Sequence, residues 1–348
     1  MFKTPVRSPL LLCQTVVSAF IPAALRSQGQ ASPQVPKIEG KTEVKTNPKL
    51  AAVQIPMSRL KPDAVFDVPG VPDWQAVDEM VWVSNGPKNS ITSMDPATNK
   101  VAATIPVGKR PCSGLAAGFG SIWVPNCGDQ TVSRVDIKTG TVVATIATGV
   151  GNSEGGIATG AGSVWLVVDK IGTLVRIDPA TNKAVAEIAL APGSYGMAFG
   201  EEALWVTSTE KDLVTRIDPQ TNVIVETISV GKGPRFITVG EGGVWTLNQG
   251  DGTISRIDPR SNKVVATIEA GLVGPGGEIS AGEGSVWATL FGFPITRVDP
   301  ATNTVAQQFV GEGGDAIRVG HGSIWLSNLK QQNLWRLDPK RIEATVPQ

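Results

Sequence analysis

The chain has 348 residues, with 31 basic and 31 acidic side chains, so its formal net charge is zero. Charged residues make up 18%, below the roughly 25% of an ordinary soluble domain. The 39 Gly and 25 Pro stand beside a single His and a single Tyr. This composition excludes a coiled coil, which would be rich in Ala, Glu, Lys and Leu, and a basic nucleic-acid binder, which needs excess positive charge against phosphate. One histidine also excludes a zinc site built on several.

Residues 1–31 read as a secretory signal peptide. Lys3 and Arg7 precede an apolar stretch from Leu10 to Leu25 that Gln14, Thr15, Ser18 and Pro22 interrupt, and Gly29 and Ala31 supply small residues for cleavage after Ala31. These 31 residues carry three basic groups and no acid, so a mature chain would have a formal charge of about −3. No other stretch is long and apolar enough to span a membrane, and the expected mature protein is exported, periplasmic or secreted, and monomeric. Residues 32–63, rich in Pro, Lys and Gln, read as a linker or loose N-terminal arm.

The remainder, residues 64–348, is one motif written seven times. An apolar-Trp pair recurs at Trp82, Trp123, Trp165, Trp205, Trp245, Trp287 and Trp325, at spacings of 41, 42, 40, 40, 42 and 38. Asp95, Asp136, Asp178, Asp218, Asp258, Asp299 and Asp338 follow; six of the seven precede Pro, and six have Arg two residues earlier, Ser93 being the exception. A Thr/Ser-Asn pair closes the turn in five copies. Within a copy, period-2 alternation such as Val101, Ala103 and Ile105 marks strands, and Gly-rich and Asp-Pro turns separate them. The second copy predicts strands near 114–118, 121–126, 130–136 and 141–147. Four strands per repeat of about 40 residues predict an all-β, seven-bladed β-propeller of four-stranded antiparallel blades. Val65–Val68 and Ile342–Val346 both read as strands able to close blade seven, and the sequence does not choose between them.

The segment Asp95–Gly108 resembles the YVTN-repeat propellers, and the Gly-x-Gly-Ser-Val/Ile-Trp turns at Gly118–Trp123 and Gly282–Trp287 resemble the virginiamycin B lyase (streptogramin lyase) group. The resemblance covers about residues 64–348. It implies a propeller, and, if it extended to activity, a magnesium-dependent elimination that opens a cyclic depsipeptide using a His and Glu residues at the channel mouth.

In a ring of repeats, residues shared by all copies are expected to build the scaffold. The seven Trp are assigned to packing between blades, and the Arg and Asp to turn and inter-blade hydrogen bonds. Function is expected where the copies differ, in the loops around one end of the axial channel. Ten or so residues before each Trp these are Asp73/Trp74, Cys112/Ser113, Glu154, Tyr195, Arg235, Glu278 and Asp315; the loop from strand two to strand three adds Asp169, Glu210, Asn248 and Gln249, among others. Asp73, Glu278 and Asp315, on neighbouring blades, form an acidic arc suited to Mg²⁺, Ca²⁺ or an amine, or simply a solvated rim. Trp74 and Tyr195 are placed to stack a ligand ring or to pack. Arg235 is placed to orient a carboxylate or phosphate, or to make a salt bridge. Glu154, Asp169 and Asn248 complete the ligand-binding set. His321 falls in a turn on the opposite face, which speaks against lyase chemistry.

The turn of the first hairpin of blade two centres near residues 119 and 120, which sets Cys112 opposite Cys127 at disulfide distance; the alternative is a thiol pair for a soft metal such as copper. The expected function is an exported binding module for a small polar molecule or protein segment. The alternatives are a cation-dependent lyase, a hydrolase using mouth carboxylates, and a bare interaction scaffold. The neutral-to-acidic charge disfavours nucleic acid as a partner.

Overall fold

The computed structural model describes residues 48–151, 156–328 and 330–347. The signal segment, the first half of the arm and Glu154 lie outside them. The described chain folds as seven small antiparallel sheets in a ring, a seven-bladed β-propeller. Blade two has strands at Ala116–Gly118, Ser121–Asn126, Thr131–Asp136 and Thr141–Ala147, within two residues of the expected bounds.

The repeated residues form one device, built five times. Each repeated Trp is buried, and from blade two onward its indole Nε1 donates to the carbonyl of the Gly five residues earlier, as in Trp205 to Gly200 at 3.1 Å. The Arg of the same blade lies against that indole, Arg216 at 5.1 Å from the Trp205 ring centre. Its Nη1 then crosses to the next blade's turn, donating to the Pro259 carbonyl at 3.0 Å and to Asn262 Oδ1 at 2.7 Å. The same clasp joins Arg134 to Pro179 and Asn182, Arg176 to Pro219 and Asn222, Arg256 to Pro300 and Asn303, and, closing the ring, Arg336 to Pro96 and Asn99. Asn suits the slot because it accepts this bond while holding a left-handed φ of 55–61° at five turns. The turn's Asp accepts from the N–H two residues on and from the Thr or Ser hydroxyl three residues on. Those hydrogen bonds hold Asp95, Asp178, Asp218 and Asp258 below the usual carboxylate range.

The two exceptions in the sequence meet at one seam. Blade one lacks the Arg (Ser93), and blade two's turn lacks both Pro and Asn (Ile137, Gly140). There Ile137 packs against the apolar cluster that contains Trp82, so an apolar contact stands where five of the other seams have a polar clasp. At the seam between blades six and seven, Arg297 instead pairs with Glu343 at 3.3 Å.

Ring closure comes from the N-terminal side. Ala64–Asp67 pairs antiparallel with Asn333–Leu337 as the outermost strand of blade seven, and Phe66 lies 5.8 Å from the Trp325 ring. The competing expectation for Ile342–Val346 is corrected. Residues Pro339–Ala344 form a short helix, capped by Asp338 accepting from the Lys340 N–H and started by Pro339. Part of the stretch expected as a linker or N-terminal arm, residues 32–63, docks on the ring. Gln54–Pro56 adds a fifth, parallel strand to blade six beside Gln308–Val310, and Ile55, Met57 and Leu60 are buried there. Three apolar anchors in a Pro- and Lys-rich stretch suffice, because the exposed blade edge supplies the backbone partners.

Cys112 and Cys127 are disulfide-bonded, with Cα atoms 5.7 Å apart across 15 residues. Closing a loop of about this length is worth roughly 3 kcal/mol through the unfolded chain. Cys127→Ser is therefore expected to lower the unfolding free energy in denaturant by about 2–4 kcal/mol, and reduction of the parent to match it. Identical midpoints for parent, reduced parent and variant would contradict this.

Candidate functional site: the channel mouth

Seven first strands line the axis. The residue paired with each blade's Trp is Ala76, Ala116, Ala158, Ala198, Thr238, Ser280 or Arg318. Two residues earlier stand Trp74, Gly114, Gly156, Gly196, Phe236, Glu278 and Ala316. Blades two to four thus offer only Gly and Ala, while blades one, five, six and seven send large side chains into the space. Trp74 of blade one meets Phe236 of blade five at 5.9 Å between ring centres, and these blades are not neighbours, so the contact crosses the axis. Tyr195 of blade four meets the same Phe236 edge-on at 5.8 Å. The glycines permit this crowding: a Cβ on Gly196 would collide with the Arg235 carbonyl.

Below the aromatic collar, buried Glu278 forms an ion pair with the partly exposed Arg318. Glu278 also accepts from the Ile317 N–H at 3.0 Å. Burial pushes its carboxyl up to about 7, against the pull of Arg318 and the Ile317 hydrogen bond and with a push from Asp315. The axial cavity among Trp74, Tyr195, Phe236, Glu278 and Arg318 measures about 40 Å³, little more than one water molecule occupies.

Above the collar the mouth opens into two cavities. The larger, about 710 Å³, is lined by Lys170, Tyr195, Thr209, Glu210, Arg235, Gln249 and Val273 with glycines between them. The smaller, about 250 Å³, is lined by Asp73, Trp74, Phe236, Phe291 and Asp315 and by the Pro275–Gly277 turn. Arg235 lines both. Its Nη2 donates to the Tyr195 hydroxyl at 2.7 Å, and its guanidinium lies 4.7 Å from the Tyr195 ring and 5.4 Å from Phe236. Gly277 has φ +84°, and a Cβ there would strike the Thr289 carbonyl; only glycine lets this stretch fold into the pocket wall.

The expected site residues divide accordingly. Tyr195, Arg235, Asp73 and Asp315 gather at the mouth. Trp74 lines the smaller pocket but is mostly buried in the collar. Asp169 serves its own loop, accepting from the Gly172 and Thr173 N–H groups at 3.0 and 2.9 Å. Burial alone would raise its carboxyl, but these bonds hold it below the usual range. Asn248, expected among the ligand-binding residues, is fully buried and braces its hairpin through Thr253 and Ser255 at 2.9 Å each. Of the expected acidic arc, Asp73 and Asp315 stand at the rim. Glu278 sits one residue deeper than the rim set, turned to the axis and committed to Arg318, and among the described residues no group of three or more His, Cys, Asp or Glu lies together to hold a metal ion. Asp73 and Asp315 alone fall short of the all-protein oxygen cage of a high-affinity Ca²⁺ site. His321 is an exposed turn residue with φ +53° whose Nε2 lies 2.6 Å from the Asp78 carbonyl. Sequence reading missed Phe236 and Arg318. Both were detectable as large residues in slots that other copies fill with Gly or Ala.

No family model matches the chain, and comparison with curated proteins finds no relative. Solved structures do match. Streptogramin B lyase superposes with a TM-score of 0.67 at 20% identity, over 78% of this chain and 95% of that one. Virginiamycin B lyase from Staphylococcus aureus gives 0.64 at 21%, over 76% and 94%. Hydrazine synthase from Kuenenia stuttgartiensis gives 0.62 at 14%, over 82% and 98%. These likenesses are of fold. A lyase and a hydrazine synthase share it, so activity has to be argued from the site.

Proposed function

We propose that the protein is an exported binding module that holds a small polar ligand in the mouth cleft. The observation that carries this reading is the preformed cleft of about 710 Å³, lined by the side chains in which the blades differ and seated above an axis closed by rings. Clefts of several hundred Å³ with apolar walls and a few polar groups are the usual form of small-molecule sites. In this reading residues 1–31 direct export, 32–63 form the arm, and 64–348 form the ring. The Cys112–Cys127 disulfide supports an oxidising compartment, and among the described residues no helix is long and apolar enough to cross a membrane.

The fold likeness to two antibiotic lyases supports a second reading, elimination on a cyclic depsipeptide. Its chemistry is weaker here. Proton abstraction needs a base within hydrogen-bond reach of the substrate. His321 lies on the far face, and Glu278 is held by Arg318 beneath the collar. One experiment separates the two. The protein is screened by thermal shift against amino acids, peptides, carboxylates, amines and sugars, with Lys170→Glu alongside, and is incubated with a streptogramin B antibiotic and Mg²⁺ under mass spectrometry. The expected result is a stabilising compound class that Lys170→Glu abolishes, with the antibiotic intact. Mg²⁺-dependent opening of the antibiotic would replace the binding reading with the lyase.

A further inference from the structure

The mouth sorts its charges by side. Among the described residues lining the larger cavity, Lys170 and Arg235 face one carboxylate, Glu210. The smaller cavity carries Asp73 and Asp315 amid the rings of Trp74, Phe236 and Phe291. The two cavities adjoin at Arg235, so a ligand lying across that guanidinium meets a cationic lining at one end and an acidic, aromatic lining at the other.

The Arg235 guanidinium and the backbones of the two aspartates are held in place. Arg235 is fixed by the Tyr195 hydroxyl and by two rings. The backbones of the two aspartates are tied into the blade network. The Asp73 carbonyl accepts from Ser327 Oγ at 2.8 Å, and the Asp315 carbonyl accepts from Thr289 Oγ1 at 2.5 Å. The Asp315 N–H donates to the Ser327 carbonyl at 2.9 Å, and the Asp73 N–H to the Ser84 carbonyl at 3.1 Å. Charges fixed before binding need no reorganisation when a ligand arrives, which is the condition under which electrostatic complementarity discriminates between ligands. Aromatic faces beside carboxylates favour an ammonium group over a neutral one.

Resting on the reading of the mouth as a recognition site, we propose that its ligand is a zwitterion with separated charges: an amino acid or short peptide with free termini. Its ammonium lies in the Asp73–Asp315 pocket and its carboxylate faces Lys170, while the connecting chain passes over Arg235 and Tyr195. Neither singly charged half of such a molecule satisfies both linings. A divalent cation meets only the acidic lining, because it has no anionic end for the larger cleft.

The test is calorimetric titration of the full chain with four probes: 6-aminohexanoate, hexanoate, hexylamine and trialanine. The expected result is that at least one of the two zwitterions binds tenfold or more tighter than hexanoate and than hexylamine. Asp315→Asn then lowers that zwitterion to the hexanoate level while leaving hexanoate unchanged, and Lys170→Gln lowers it to the hexylamine level. Neither replaced side chain is buried, and unchanged melting temperatures will show that both variants fold. The tripeptide and the amino acid differ in length, so the better of them distinguishes a peptide from a free amino acid. A zwitterion that binds no tighter than the better single-charge probe overturns the proposal, as does one whose affinity survives both substitutions. If other compounds bind the cleft while zwitterions hold no advantage, this inference falls and the recognition reading stands. If no compound of any class binds there, both fall.

Discussion

Arg318→Met is expected to destabilise the protein by about 3–5 kcal/mol at pH 8.5 and by far less at pH 5. Glu278 is 3% exposed and has two partners in its site, Arg318 and the Ile317 N–H. Removing the cation leaves a buried carboxylate without its counter-charge unless it takes a proton, and a proton is available only at low pH. The parent carries the same dependence in weaker form. Glu278 is raised in the folded state from 4.5 to about 7 by burial, with Arg318 opposing and Asp315 adding. A carboxyl raised on folding binds more protons folded than unfolded. Its contribution is therefore complete below about pH 4.5 and lost as pH rises through 7. At about 1.4 kcal/mol per unit the ceiling is roughly 3 kcal/mol. The turn aspartates have lowered values. Their contributions have the opposite sign and are lost below that window. Urea titrations of parent, Arg318→Met and Glu278→Gln from pH 4.5 to 8.5 check the account. Glu278→Gln should flatten the decline between pH 4.5 and 7, and parallel slopes for all three would contradict it.

Trp205→Ala should have the largest effect of any single change in the scaffold, about 3–5 kcal/mol, because it empties a fully buried indole from a close-packed seam. It also removes the surface on which Arg216 lies and the donor to the Gly200 carbonyl. Arg216→Ala and Asn262→Ala each break the clasp to the next blade. Asn262→Ala further puts Ala at φ 56°, which an alanine adopts at a cost of about 1–2 kcal/mol. The two residues share one hydrogen bond, so the double variant should lose less than the sum, by about 0.5–3 kcal/mol of coupling. Ser93, at the seam without a clasp, supplies the control: Ser93→Ala should change little. Additive losses at Arg216 and Asn262 would contradict the shared bond.

The ring was legible because repetition multiplies a weak signal. One Trp followed by Arg-x-Asp is unremarkable, but seven Trp at near-constant spacing, six of them followed by Arg-x-Asp, require blades. The exceptions were visible too, yet only the ring explains why Ser93 and Ile137 coincide: the Arg of one copy acts on the turn of the next, a relation linear comparison does not display. Closure was ambiguous because both ends alternate like strands. Composition misled over the arm, where Ile55, Met57 and Leu60 are sparse in sequence but meet an open blade edge.

The site was legible to within one residue. Tyr195, Arg235 and Asp315 stand ten residues before their Trp and reach the mouth. Glu278 stands nine before and turns to the axis, as adjacent strand residues point in different directions. Asn248 misled because a polar loop-end residue looks alike whether it meets a ligand or braces Thr253 and Ser255. Charge pairing between neighbouring blades, as between Glu278 and Arg318, joins slots of different depth on different blades and has no signature in a single copy.

The most direct test of the central claim is an experimental structure of the full chain soaked with the compounds that stabilise it. Ligand density in the cleft bounded by Lys170, Tyr195, Gln249 and Val273, with the Trp74–Phe236 contact still closing the axis beneath, is the predicted result. Density confined to the opposite face around His321, or threading an open channel past a displaced Trp74, would contradict it.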